Sequence, residues 1–153
     1  MATHTATIRW IGGDPAEFAK GRYSRAHEWT FDGGTVVRAS ASPSVVREPW
    51  AEAAAVDPEE ALVAAVSSCH MLWFLDLARH GGQVVTAYED EADGALEKCP
   101  DGKVRITRVT LRPRISFAGR QPDPPALDAL HHEAHDRCFI ANSITAEVTV
   151  EPR

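Results

Sequence analysis

The residues of this chain best suited to chemistry near neutral pH are its three cysteines, Cys69, Cys99 and Cys138, and its seven histidines. Most free cysteines are small core hydrophobes. Cys69 keeps different company, because Ser67-Ser68-Cys69-His70 puts four polar or reactive groups inside an otherwise apolar run. Such a conflict with the surrounding pattern marks functional positions. A nucleophilic thiol must ionise, and Cys69 sits about three turns inside its predicted helix, too far to draw on the helix N-terminus. It needs a cation. His70 is adjacent in sequence, so on a helix it points about 100° away and does not pair with Cys69. A permanently charged arginine is the better donor, and Arg22, Arg25 and Arg47 are the candidates.

Cys138 falls at the C-terminal end of an amphipathic pattern, on its apolar face, where a core thiol is ordinary. Cys99, in Glu97-Lys98-Cys99-Pro100-Asp101-Gly102, occupies a turn and is expected to be an exposed bystander. His131, His132 and His135 (HHEAH) include one i,i+4 pair, a spacing able to hold a metal. The glutamate falls in the wrong place for H-E-x-x-H and no third ligand is near, so the cluster reads as a solvated histidine face. No G-x-S-x-G elbow surrounds the serines, and no glycine loop suits phosphate.

The elements that position these groups are well marked. Thr5 to Trp10 and Tyr23 to Phe31 read as strands, the second leading through Asp32-Gly33-Gly34 into Thr35-Val36-Val37. Asp57 is a natural N-cap, Pro58 suits the first helical position, and Glu60 completes a capping box. Arg79, His80 and Gly81-Gly82 mark the end of that helix. Its interior is apolar on nearly every side, which calls for a central helix covered all round. Ser67, Ser68, His70 and Asp76 interrupt the run, favouring a buried helix over a membrane span. Strands follow at Val84 to Ala92, Gly94 to Glu97 and Val104 to Phe117, then a helix opening at Asp123-Pro124-Pro125 and a closing strand over Ser143 to Val150. That order is α+β, and no linker divides it, so residues 1–153 read as one domain.

Composition limits the partners. Sixteen Lys+Arg against twenty-two Asp+Glu give a net charge of −6, which argues against nucleic acid. Met1 to Trp10 lacks the cationic start and apolar run of a secretory signal, and an odd number of scattered cysteines is no extracellular disulfide framework. The expected location is the cytoplasm, away from any membrane.

Two stretches together carry a resemblance. Asp57-Pro58-Glu59-Glu60-Ala61-Leu62-Val63-Ala64-Ala65-Val66-Ser67-Ser68-Cys69 resembles the NPEELxxAAxxAC helix of the OsmC/Ohr family of thiol-dependent peroxidases. Glu133-Ala134-His135-Asp136-Arg137-Cys138-Phe139-Ile140-Ala141-Asn142-Ser143 resembles that family's second-cysteine motif, with Phe139 where many members have proline. His70 with Met71-Leu72-Trp73-Phe74 looks like an OsmC-like branch of it. The resemblance implies antiparallel sheets wrapped around long central helices in an intertwined homodimer. It implies that Cys69 is peroxidatic and Cys138 resolving, with an organic hydroperoxide as substrate and a small or protein dithiol as reductant. Glu59 matches the acidic partner of a catalytic arginine, for which Arg25 is the first choice before Arg22 and Arg47. No metal or organic cofactor is implied. Helix geometry supports the dimer separately: Glu59 and Cys69 are about 15 Å apart along one axis and face directions roughly 80° apart, so a Glu59–arginine pair acting at Cys69 must come from a second chain. The rival readings are a non-catalytic ligand-binding or redox-sensing protein of the same fold, and zinc binding through the histidines and cysteines.

Overall fold

The computed structural model describes residues 1 to 153 and divides them into two compact units, Met1–Ala61 and Leu62–Arg153. In the first, β1 (Ala6–Arg9), β2 (His27–Phe31) and β3 (Val36–Ala39) form an antiparallel sheet in that order. Ile8 stands opposite Trp29, and Trp29 opposite Val37. The turn read at Asp32-Gly33-Gly34 closes as expected, Gly34 N donating to Phe31 O at 2.9 Å. A short helix, α1 (Pro15–Ala19), interrupts what reads from sequence as strands alone. Its signals were there: Asp14 caps it, accepting from Ala16 N at 2.8 Å, and Pro15 takes the first helical position. Phe18 of α1 packs against Trp10 and Tyr23, with ring centroids 5.8 and 4.6 Å away, and so anchors the loop that carries Arg22 and Arg25.

The long helix α2 (Pro58–His80) begins with the expected capping box. Glu60 N donates to Asp57 Oδ1 at 2.8 Å, and Asp57 N donates to Glu60 Oε2 at 3.1 Å. It stops where Gly82 adopts φ +76, a left-handed turn that glycine enters without a Cβ penalty. Its burial departs from expectation. Val66, His70, Phe74 and Ala78 form a single buried stripe, whereas Ala64, Ala65, Ser68 and Leu72 are exposed. One chain therefore covers one face of a helix that is apolar on all sides, and α2 is long and apolar enough to cross a membrane by length and composition.

After α2 come β4 (Val84–Asp90), β5 (Asp93–Lys98), β6 (Val104–Leu111), β7 (Pro113–Ala118), α3 (Pro124–Arg137), a 3-10 turn (Ala141–Ser143) and β8 (Glu147–Val150). The stretch read as one strand from Val104 to Phe117 breaks between Leu111 and Pro113. Proline has no N–H for the ladder, and Arg112 N turns aside to donate to Asp90 Oδ1 at 2.6 Å. As a result β7 pairs with β4, while β6 pairs with β5 and β8. The β6–β8 pairing is parallel, so that sheet is mixed rather than purely antiparallel. The chain reaches β8 only after the α3 crossover, and such a connection permits parallel pairing where a hairpin does not.

The buried stripe of α2 serves two clusters. Val66 packs with Val109 and Leu111 over the β5-β6-β8 sheet, and Phe74 and Ala78 pack with Ala134 of α3 and the β4–β7 pair. Gly94 of β5 permits the close approach at the first, because a Cβ there would stand 2.6 Å from Val63 Cγ2. Cys99 corrects the reading of an exposed turn thiol. It is buried, because it stands at the base of the turn rather than at its tip, donating its N–H to Lys103 O at 2.8 Å.

Candidate active site

Cys69 lies midway along α2 and is half-buried. Cys138 is the C-cap of α3, in extended conformation, with its N–H on His135 O at 3.1 Å and its side chain only 1% exposed. Both thiols are free. The fold brings them together: burial pushes the Cys138 thiol up to about 11, and the neighbouring Cys69 thiol pushes the same way. The Ala141 N–H, donating to Cys138 Sγ at 3.3 Å, pulls modestly in the other direction. At neutral pH the Cys138 thiol thus keeps its proton.

The chain beyond Cys138 stays tied to the end of α3. Asn142 Nδ2 donates to Asp136 O at 2.9 Å, and Ser143 Oγ donates to Phe139 O at 2.7 Å. Phe139 itself, 70% exposed, meets Trp73 edge-on at 5.5 Å. Trp73 follows Cys69 by one turn of α2, so an aromatic bridge runs beside the thiol pair. Arg137 lies over Trp73 at 5.7 Å and is paired with Glu133 at 2.5 Å. Two free thiols brought together in this way can act as a dithiol–disulfide couple, closing on two-electron oxidation and reopening by thiol exchange.

The four polar groups noted on α2 separate cleanly. Ser67 Oγ donates to Asp90 Oδ2 at 2.5 Å, Ser68 is exposed, Cys69 meets Cys138, and His70 Nε2 meets His131 Nδ1 at 3.1 Å. The last contact is one that the sequence reading missed. It also corrects the solvated histidine face, because His131 is buried with Ala134 while His132 stays exposed and His135 is half-buried. The signal was available: His131 shares the helical spacing of Leu127 and Ala134, and His70 that of Val66 and Phe74. No group of three or more His, Cys, Asp or Glu side chains is arranged to hold a metal, so the zinc reading lacks a ligand set. A cleft of about 430 Å³ beside α3 is lined by Asp128, His131, His132 and His135 with Val148 and Val150 of β8, and neither Cys69 nor Cys138 lines it.

The remaining candidates belong to the first unit. Arg25 donates from Nη1 to Tyr23 O at 2.6 Å and Gly21 O at 3.2 Å, with its guanidinium 3.6 Å from the Tyr23 ring centroid. Its backbone is fixed as well. Arg25 N donates to Trp50 O at 2.8 Å, and its carbonyl is 2.7 Å from His27 Nδ1. Trp29 Nε1 donates to His27 Nε2 at 2.8 Å, so His27 carries its proton on Nδ1 and donates it to Arg25 O. Arg22 is committed to Glu17 at 2.5 Å, and Arg47 is exposed. Glu59 is half-buried, and neither it nor Arg25 has an ion-pair partner within the chain.

The fold is α+β, with a long helix and the end of a second helix bringing two free thiols together. The model of the OsmC-like protein family matches residues 51–153, and the chain belongs to that family. It superposes on an OsmC-like protein of unknown function from Vibrio cholerae O1 biovar eltor with a TM-score of 0.96 and 48% identity, over 100% of both chains. The organic hydroperoxide resistance protein OsmC of Legionella pneumophila shares the fold at TM-score 0.69 and 18% identity, over 99% of this chain and 96% of that one. The organic hydroperoxide resistance protein OhrB of Bacillus subtilis does so at TM-score 0.69 and 19% identity, over 99% and 98%. Comparison with curated proteins gives no significant match.

Proposed function

We propose that the protein is a cytoplasmic thiol peroxidase for organic hydroperoxides. The observation that carries this reading is that the fold brings the free Cys69 and Cys138 thiols together. In the first step the Cys69 thiolate attacks the distal oxygen of the hydroperoxide. The O–O bond breaks, the alkoxide leaves and takes up a proton to become an alcohol, and Cys69 becomes a sulfenic acid. In the second, the Cys138 sulfur attacks Cys69 and gives up its proton, the S–O bond breaks, water departs and the disulfide forms. An external dithiol then reduces it by exchange.

Arg25 is assigned to favour the Cys69 thiolate, and Glu59 of a second copy of the chain to orient that guanidinium through a bidentate pair. The absence of an in-chain carboxylate partner for Arg25 supports this, as does the exposed apolar face of α2, which a homodimer would cover. Stopped-flow reaction of the reduced protein with cumene hydroperoxide and with hydrogen peroxide, using dihydrolipoamide as the dithiol, tests the reading. Faster consumption of the organic peroxide is expected. No consumption of either would leave the redox-sensing or ligand-binding alternative.

A further inference from the structure

The contacts between α2 and α3 are mostly apolar, and apolar contacts carry no direction along the helix axes. Against them stands one hydrogen bond between side chains of the two helices, His70 Nε2 to His131 Nδ1 at 3.1 Å. The rings stack with centroids 5.4 Å apart and planes 10° apart, and Phe74 packs 4.5 Å from His131. His70 is fully buried and His131 nearly so. Burial pushes both imidazoles down to about 4, so at neutral pH both are uncharged, and one donates while the other accepts. The cost of the arrangement is visible, because His70 Nδ1 and His131 Nε2 are buried without partners. A costly polar pair in an apolar seam is the device by which a buried asparagine fixes register in coiled coils.

Both histidines sit where register matters for the thiols. His70 directly follows Cys69, and His131 shares one face of α3 with Ala134 and Cys138. A slip of one helical turn moves a residue by about 5.4 Å. The Cβ atoms of a disulfide stand only about 3.5–4.5 Å apart, so such a slip carries Cys138 out of reach of Cys69.

We propose that the His70–His131 hydrogen bond is a positioning contact that holds Cys138 within closing range of Cys69, acting through the register of α2 on α3. This rests on Cys69 and Cys138 forming the redox couple described above, though not on a hydroperoxide being the oxidant. The test therefore has a readout that needs no peroxide: the thiol–disulfide equilibrium of the full-length protein in dithiothreitol redox buffers. In His131→Leu, the equilibrium should shift at least tenfold toward the dithiol, about 30 mV. Closure after one equivalent of cumene hydroperoxide should slow by a similar factor, while formation of the Cys69 sulfenic acid stays within about twofold of wild type. His131→Asn, whose side-chain amide can stand in for Nδ1, should recover most of both losses. Because a single leucine strands the other imidazole and can unfold the chain, the double variant His70→Leu/His131→Leu is measured too. Its core is wholly apolar, and its folding is checked by thermal melting. Its closure should be as slow as that of His131→Leu. A folded double variant with wild-type equilibrium and closure rate would overturn the register role. A wild-type protein that forms no Cys69–Cys138 disulfide in the redox buffers would overturn both it and the peroxidase reading.

Discussion

Two pairs of side chains join α2 to the region of α3, one of thiols and one of imidazoles, and on α2 they occupy adjacent positions. Their surroundings differ. Cys69 is half-buried, and Cys138 caps the end of α3, where Ala141 N–H reaches its sulfur. His70 and His131 lie in the packed interior, stacked on each other and walled by Phe74. The thiol pair meets at a helix end, where a small movement can make or break a bond. The imidazole pair meets where movement is most costly.

The largest expected effect falls on the thiol pair. Cys69→Ser should lower hydroperoxide consumption to below about 1% of wild type, in line with loss of a catalytic nucleophile. Activity equal to wild type would remove the enzyme reading altogether. Next comes Arg25→Ala, expected to slow the peroxide step by roughly 10²-fold if it removes a catalytic charge. Arg25→Lys should recover little, because a lysine cannot reproduce a bidentate pair. Purified heterodimers of Cys69→Ser and Glu59→Ala chains sharpen this: one intact site remains if Glu59 acts across the interface, giving about half of wild-type activity. Near-zero activity would mean that Glu59 serves its own chain.

A smaller effect, in stability, should come from the imidazole pair. Both pKa values lie near 4 in the folded chain against 6.5 for an ordinary histidine, desolvation being the main cause, with neighbouring His131 and His135 opposing a charge on His70 and Asp90 favouring one. Between about pH 6.5 and 4 the unfolded chain binds more protons at these sites than the folded one. Stability should therefore fall as the pH drops through that window, by up to on the order of 3 kcal/mol per imidazole. Chemical denaturation of wild type and of His70→Leu/His131→Leu across pH 4 to 7 measures it, and the double variant should lose most of the slope. Equal slopes would show that the pair is not the source. The smallest change is expected at Cys99: Cys99→Ser should leave activity within about twofold, with a stability loss of about 1 kcal/mol for placing a hydroxyl where a buried thiol stood. A severalfold drop in activity would give Cys99 a part in the chemistry.

The same contrast governs what could be read without coordinates. Asp57, Pro58 and Glu60 announce the start of α2, and Gly81-Gly82 its end, because capping is local chemistry written within a few residues. That Cys69 and Cys138 come together was legible through the stretches around them. The His70–His131 bond was not, because it joins two helices distant in sequence and its spacing signal was overshadowed by the polar look of HHEAH. The break at Arg112-Pro113 was missed for a similar reason: whether a proline bends a strand or divides it between two sheets depends on partners elsewhere in the chain. The uncovered face of α2 is the opposite case. Its sequence asked for cover on every side, and the single chain supplies one stripe.

The central claim is that Cys69 and Cys138 form one redox couple within one chain. Its most direct test is peptide mapping of the protein after one equivalent of an alkyl hydroperoxide, under conditions that block thiol exchange. A Cys69–Cys138 disulfide within the chain is the expected product, and Cys138→Ser should instead stop at a Cys69 sulfenic acid that a dimedone probe captures. A disulfide joining Cys69 to Cys99, or a thiol content unchanged by the peroxide, would contradict the account.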